Sequence, residues 1–393
     1  MSQRRQLPEV VETEQSVVKR VPGKVHRAYD FSLLFLTFFL VCFGLVMIYS
    51  TSSYNATKYY GTATYFLKKQ MIFAVFGMFV MIAVSKIDYR YIIHPLPGIK
   101  IRPVTVLYFM CLALQVLVLF VGEDIKGAKR WIEIPGIGTF QPSELTKICI
   151  VLLTAYLASR APKMLNKFRG FFGVLLRVAP LIFLVVVENL STAIVLSGIV
   201  FVICIVTSRK KGYYFIVIGL GIAAVAGVFV FGEGFRMARI DAWLNVETHP
   251  KGYQTLQGLY AIASGGIWGK GLGNSVQKLG FIPESHNDMI FSVICEEMGL
   301  VGAIAVLLLF LLLLWRLFVI AVNAPDLYGS LIAVGVMTHI AVQVIINVAV
   351  VTNTIPSTGI PLPFISYGGS SLVALLFEMG IALGVSNQIE YRE

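Results

Sequence analysis

The chain has 393 residues, of which 57% are hydrophobic and only 13% charged, and it carries a net charge of +11. Soluble domains carry about 25% charged residues, so this composition excludes an ordinary soluble enzyme and points to a protein surrounded by lipid. No nucleic-acid motif occurs, and the positive charge suits a basic cytoplasmic face beside anionic lipid.

Residues 1–30 are polar and contain Arg4, Arg5, Lys19, Arg20, Lys24 and Arg27 ahead of any apolar run. They read as a disordered cytoplasmic tail, not a cleaved leader. Ten apolar stretches follow, at 31–50, 69–85, 104–122, 142–158, 171–187, 190–207, 213–232, 289–315, 328–350 and 369–388. Each approaches the roughly 20 residues that cross a hydrocarbon core as a helix. None alternates like a barrel strand. The expected fold is therefore all-α: a polytopic membrane protein with ten transmembrane helices over residues 31–388, closed by a short cytoplasmic end at 389–393. Cys42, Cys111, Cys149, Cys204 and Cys295 all fall inside apolar runs and read as small core hydrophobes, not as disulfides or metal ligands.

Positive residues favour cytoplasmic loops. With the N-terminus inside, the inner segments hold 19 Lys and Arg and the outer ones 11, which predicts N-in, C-in. A long extracellular loop, 233–288, then joins the seventh and eighth helices. Every even-numbered helix starts at the outer face. Helix N-termini carry free N–H groups and partial positive charge, which suits phosphate.

Five polar segments gather at those outer ends. The first, Gly127-Ala-Lys-Arg-Trp131, is followed by Gln141-Pro-Ser-Glu-Leu145 and by Lys147 one turn inside the fourth helix. Lys129, Arg130 and Lys147 form a candidate pyrophosphate site beside Trp131; a plain interfacial aromatic belt with snorkelling lysine is the alternative. The second, Glu188-Asn189-Leu190-Ser191-Thr192, is a tight turn in which Ser191 or Asn189 would cap a helix. In the third, Arg236, Arg239 and Trp243 share one helical face, which fits an amphipathic helix or an anion site.

The fourth segment contains a glycine run at 265–273 and then Pro283-Glu-Ser-His-Asn-Asp288. The glycines lack a Walker lysine–serine pair, so nucleotide binding is a poor fit. Asp288 stands at the mouth of the eighth helix, as a cap or as a functional acid. The fifth segment runs from Ile355 to Ser371; its prolines bar a regular helix, and its closing Gly-Gly-Ser-Ser, with Ser366 and Ser370, suits an anion. Gln343 and Asn347 lie four apart in the ninth run and read as packing amides.

Together these segments resemble the SEDS family of FtsW, RodA and SpoVE. The matches run in family order: Gly127–Trp131, Gln141–Leu145 with Lys147, the glycines of 265–273, Pro283 through Asp288, Glu296-Glu-Met-Gly299, and Leu362-Pro-Phe-Ile-Ser-Tyr-Gly-Gly-Ser-Ser371. Met47–Ser52, Gly273–Lys278 and the long tail lean towards the FtsW branch. The chain departs from the family at Val187–Ala193, where the acid stands at Glu188, one place early.

The resemblance implies a bacterial cytoplasmic-membrane protein that polymerises lipid II into glycan outside the membrane, in cell division. It also implies a class B penicillin-binding protein and other divisome proteins as partners. The family's essential aspartate maps onto Asp288, expected to act as general base. Lys129, Arg130, Trp131, Lys147, Arg236, Arg239, Ser366 and Ser370 would bind substrate. A divalent cation, Mg2+ or Mn2+, is compatible with pyrophosphate chemistry, although no protein ligand set for one is evident. The rival readings are a lipid II flippase, which should need polar groups along the whole crossing, and a non-catalytic divisome scaffold.

Overall fold

The computed structural model describes residues 25–27, 29–95, 98, 100–125, 128–134, 138–230 and 235–392. Among them, helices α1 (Phe31–Tyr60), α2 (Tyr65–Ser85), α3 (Pro103–Val121), α4 (Pro142–Arg160), α5 (Phe168–Glu188), α6 (Leu190–Thr207) and α7 (Gly212–Val230) form the first part of the bundle. Two shorter helices follow, α8 (Phe235–Leu244) and α9 (Tyr253–Gly265), and then α10 (Ile290–Asn323), α11 (Leu327–Val351) and α12 (Gly369–Ser386). Eight of these helices are long and apolar enough to cross a membrane. The chain is a multi-pass membrane protein, as its composition requires.

Several expected boundaries move. α1 continues ten residues past its apolar run because its serines and threonines turn their hydroxyls back onto the helix: Thr51 donates to Met47 O (2.8 Å) and Thr57 to Ser53 O (2.9 Å). It stops where Gly61 takes a left-handed conformation, φ 72°, and donates to Thr57 O. Hydropathy does not register such polar extensions. Within the 233–288 segment, α8 spans the stretch read as a helical face and α9 adds a second helix.

The fold is not purely helical. Strands β2 (Glu123–Ile125), β3 (Ala128–Ile134) and β4 (Gly138–Phe140) form an antiparallel sheet between α3 and α4. Strand β1 (Val25–Arg27) pairs antiparallel with β5 (Glu390–Arg392), which corrects the expectation of a tail without structure for those residues. The rest of the expected tail, residues 1–24, lies outside the described residues. Asp30, also assigned to the tail, caps α1 by accepting from Leu33 N (2.9 Å) and pairs with Arg316 (2.7 Å).

The core runs along the bundle axis, where α2 packs on α12 and α11 packs on α4, α6 and α10. Gly44 allows α1 to touch the segment after α11, because a Cβ there would fall 2.5 Å from Phe364 O. α10 is broken at Gly299, with φ 65° and ψ −166°, a region essentially reserved for glycine. In lipid, freed backbone groups need new partners. They find them in the glycine run: Lys270 N and Gly271 N donate to Glu296 O and Glu297 O (3.0 and 2.9 Å), while Leu300 N and Val301 N donate to Gly266 O and Ile267 O (2.9 and 3.2 Å). The glycines, a poor fit to a nucleotide loop, hold the chain against a broken helix.

Two acids lock that junction. Glu296 accepts from Lys270 Nζ (2.7 Å), from Ser275 Oγ and from the amides of Val276 and Gln277 (3.2 and 3.3 Å). Glu297, fully buried, accepts from Lys278 Nζ (2.7 Å) and from Ser50 Oγ on α1 (2.7 Å). The strand of chain that leads to Asp288 is thereby tied to both α1 and α10.

Candidate functional site

Asp288 is half-buried where α9, α11 and the 352–368 segment meet. Its helix begins at Ile290 behind Met289, without a side-chain cap, so the capping role considered for Asp288 is not what starts α10. The carboxylate Oδ1 accepts from Gln254 Nε2 of α9 at 3.3 Å. Its main-chain carbonyl accepts from Asn347 Nδ2 of α11 at 2.8 Å, and the same amide donates to Ile360 O at 2.8 Å. Asn347 is fully buried. It was read from sequence as a packing amide; in the structure it pins the acid's backbone to the proline-rich segment.

Ser366 completes this frame. Its hydroxyl accepts from Leu362 N (2.8 Å) and donates to Asn287 O (2.7 Å). Both bonds are internal and give Ser366 a structural role. Tyr367 N donates to His286 O (2.9 Å), a third tie between the two segments. Burial pulls the His286 imidazole down to about 4, with Glu284 drawing it weakly the other way, so it is neutral near pH 7. Ser370 lies half-buried in the first turn of α12, which has no side-chain cap.

A cavity of about 110 Å³, lined by Arg239, Ala242, Trp243, Lys251, Thr255, Asn353 and Ser357, lies near the acid, which is not itself among the lining residues. Thr255 follows Gln254 on α9, and Ser357 precedes Gly359, whose added Cβ would lie 3.9 Å from Asp288 Oδ2. Trp243 Nε1 donates to Asn353 O at 2.9 Å and holds α8 in place. Lys251 was not foreseen. It follows His249-Pro250 just ahead of α9, a position without any sequence signal of function.

The other expected cations belong elsewhere. Lys147, only 2% exposed, pairs with Glu144 at 2.8 Å one turn away. Its charge is compensated inside the protein by that carboxylate. Arg130 donates through Nε to Glu188 O at 2.7 Å, and burial lowers its basicity while the Glu188 charge opposes that. With the Gln115 amide turned to satisfy its neighbours, it donates to both Glu188 oxygens (2.8 and 3.1 Å) and accepts from Thr146 Oγ1 (2.9 Å). Asn189 caps α6 through Ser191 N and Thr192 N (3.1 and 3.3 Å), as one reading of that turn expected. Trp131 is half-buried on β3. The side chains of Lys129 and Arg236 lie outside the described residues.

The sequence reading thus expected one cationic site and the structure divides it. Arg130 on β3 meets Glu188 at the end of α5, and Lys147 pairs with Glu144 within α4, whereas Arg239 and Lys251 line a cavity near Asp288. Polar groups are also present deep in the bundle: His339 and Glu378 meet at 2.6 Å between α11 and α12, both 2% exposed in their side chains. The expected concentration of polar residues at one end is therefore incomplete. Among the described residues no group of three His, Cys, Asp or Glu could hold a metal ion.

A helical membrane bundle that keeps ionisable side chains among its packed helices belongs to the class of membrane proteins with an internal functional site. The chain belongs to the FtsW/RodA/SpoVE family of cell cycle proteins, whose model matches residues 31–391. It is 37% identical to stage V sporulation protein E of Bacillus subtilis, over 92% of this chain and 98% of that one. It is 36% identical to a probable peptidoglycan glycosyltransferase FtsW of Geobacter sulfurreducens, over 92% of this chain and 96% of that one. Among solved structures it resembles a chain of a peptidoglycan synthase complex described as coordinating polymerisation and crosslinking, with a TM-score of 0.75, 29% identity and coverage of 92% and 98%. The rod shape determining protein RodA of Thermus thermophilus superposes with a TM-score of 0.66 and 28% identity, covering 93% of this chain and 99% of that one.

Proposed function

We propose that this chain is a peptidoglycan glycosyltransferase of the cytoplasmic membrane, that it crosses ten times with both termini inside, and that it polymerises lipid II at the outer face during cell division. The observation that carries the chemistry is the position of Asp288, held by Gln254 and Asn347 near the cavity of Arg239 and Lys251. Asp288 takes the proton from the attacking sugar hydroxyl as its oxygen bonds to the anomeric carbon, a contribution of roughly 10²–10⁴-fold. The bond from that carbon to the pyrophosphate oxygen breaks, and polyprenyl pyrophosphate leaves. Arg239 and Lys251 stabilise the charge gathering on it. A divalent cation, Mg2+ or Mn2+, would enter on the pyrophosphate and share that task. The partner is a class B penicillin-binding protein that crosslinks the strands, a reading supported by the likeness to the synthase complex.

A flippase is the second reading, favoured by the deep His339–Glu378 pair. One assay separates the two. The purified chain in proteoliposomes with labelled lipid II should lengthen glycan, and Arg239→Ala and Lys251→Ala should slow it at least tenfold. Movement of label between leaflets without any polymer would overturn the glycosyltransferase reading in favour of transport.

A further inference from the structure

A continuous run of aromatic rings leads from His286, two residues before Asp288 in the chain, outward to Tyr60. His286 lies 4.4 Å from the Phe66 ring and 5.4 Å from Tyr367. Phe66 meets Tyr65 at 5.3 Å and Tyr60 at 5.6 Å, both edge-on. Tyr60 and Tyr65 stack at 3.8 Å, 6° from parallel. Lys69 Nζ lies 4.5 Å from the Tyr65 ring and donates to its hydroxyl at 2.7 Å. Exposure rises outward, from 6% at His286 to 51% at Tyr60. His286 Nδ1 has no hydrogen-bond partner.

Aromatic belts at membrane surfaces are common, but a belt runs round the perimeter and has no need to reach inward to a buried imidazole. This one ends at His286, whose backbone lies within about 7 Å of the acid's, the reach of two residues of chain. The chemistry of the column also fits a sugar. A pyranose has an apolar C–H face and a polar rim, and tyrosine has an apolar face and a polar tip.

We propose that Tyr60, Tyr65 and Phe66, with Lys69 at the rim, form a saccharide track that holds the glycan strand as it leads away from the reacting carbon. The proposal rests on the glycosyltransferase reading and adds to it a consequence. A strand held after each addition stays on the enzyme, so the column sets strand length.

The test compares Tyr60→Ala/Tyr65→Ala with Tyr60→Phe/Tyr65→Phe in proteoliposomes of the full chain, using gel-resolved glycan length and the rate of lipid II consumption. Melting curves check that each variant is folded. The alanine pair should shorten strands at least threefold while consumption falls by a smaller factor, and the phenylalanine pair should restore most of the length. Strands of parental length from the alanine pair overturn the track while leaving the glycosyltransferase reading intact. Equal shortening in both pairs overturns the stacking argument. A parent that makes no polymer sinks the glycosyltransferase reading instead. The track is then judged by binding of chitotetraose to the detergent-solubilised chain, observed by saturation-transfer NMR. Binding lost in Tyr60→Ala and kept in Tyr60→Phe supports the track, and binding unaffected by Tyr60→Ala rejects it. Should the alanine pair fail to fold, Tyr60→Leu, which keeps the apolar volume without a ring face, takes its place in both measurements.

Discussion

Replacing Asn347 with alanine removes the support of the acid while leaving the acid in place. The Asn347 amide donates at 2.8 Å to two main-chain carbonyls, those of Asp288 and Ile360. Deleting it strands two acceptors, at roughly 1–3 kcal/mol for each buried group. Against this, the truncation also removes Asn347 Oδ1, which has no partner, and that returns about 1 kcal/mol. The net loss is then about 1–5 kcal/mol, enough to lower the melting temperature by several degrees. Freed from its tie, the Asp288 backbone shifts, and a displacement near 1 Å can cost on the order of 100-fold in rate. Asn347→Asp keeps the volume but sets an acceptor against two acceptors. Its activity should recover as pH falls and the new carboxyl becomes a donor, opposite to the trend of a general base. The assay is lipid II polymerisation by each purified variant beside its melting curve. An alanine variant that melts and polymerises like the parent refutes the reasoning.

The remaining expectations concern stability. The folded His286 imidazole protonates only near 4, against 6.5 in the unfolded chain. Stability from this group is therefore complete above pH 6.5 and lost as pH falls towards 4, a change of about 3 kcal/mol. His286→Phe should flatten the acid limb of a melting-temperature profile, and an unchanged limb contradicts the assignment. Gly299→Ala should cost roughly 3 kcal/mol or more, because its Cβ would fall 2.4 Å from Gly269 N and Ile267 O; a melting temperature equal to the parent's argues against the broken-helix junction. Glu297→Gln leaves the Lys278 ammonium buried without its partner, at about 3–5 kcal/mol, and adding Lys278→Met should recover much of that. Additive losses in the double variant would show the pair to be uncoupled.

Much of the scaffold was readable because apolar runs of membrane length report helices directly. Every predicted run lies largely within a long helix, and the helices outrun the apolar stretches mainly at the end of α1, the start of α2 and the end of α10. The position of Asp288 was suggested by its motif, and its surroundings were not. Lys147 and Arg130 looked like open cations because a sequence shows charges without their partners; Glu144 and the Glu188 carbonyl claim them only once the helices pack. Asn347 and Gln254 were missed as supports for the acid for the same reason: each acts across more than 30 residues of chain, Asn347 over 59 and Gln254 over 34. Lys251 shares a cavity with Arg239 through the fold of α8 and α9, inside the segment expected as a long loop.

The proposed chemistry needs one carboxylate, and Asp288→Asn removes its basicity with little change of shape. Asparagine can still accept from Gln254 but cannot take a proton. In proteoliposomes with lipid II, the variant should melt like the parent and polymerise at least ~100-fold more slowly. Polymerisation within a few-fold of the parent would contradict the assignment of Asp288 as the base.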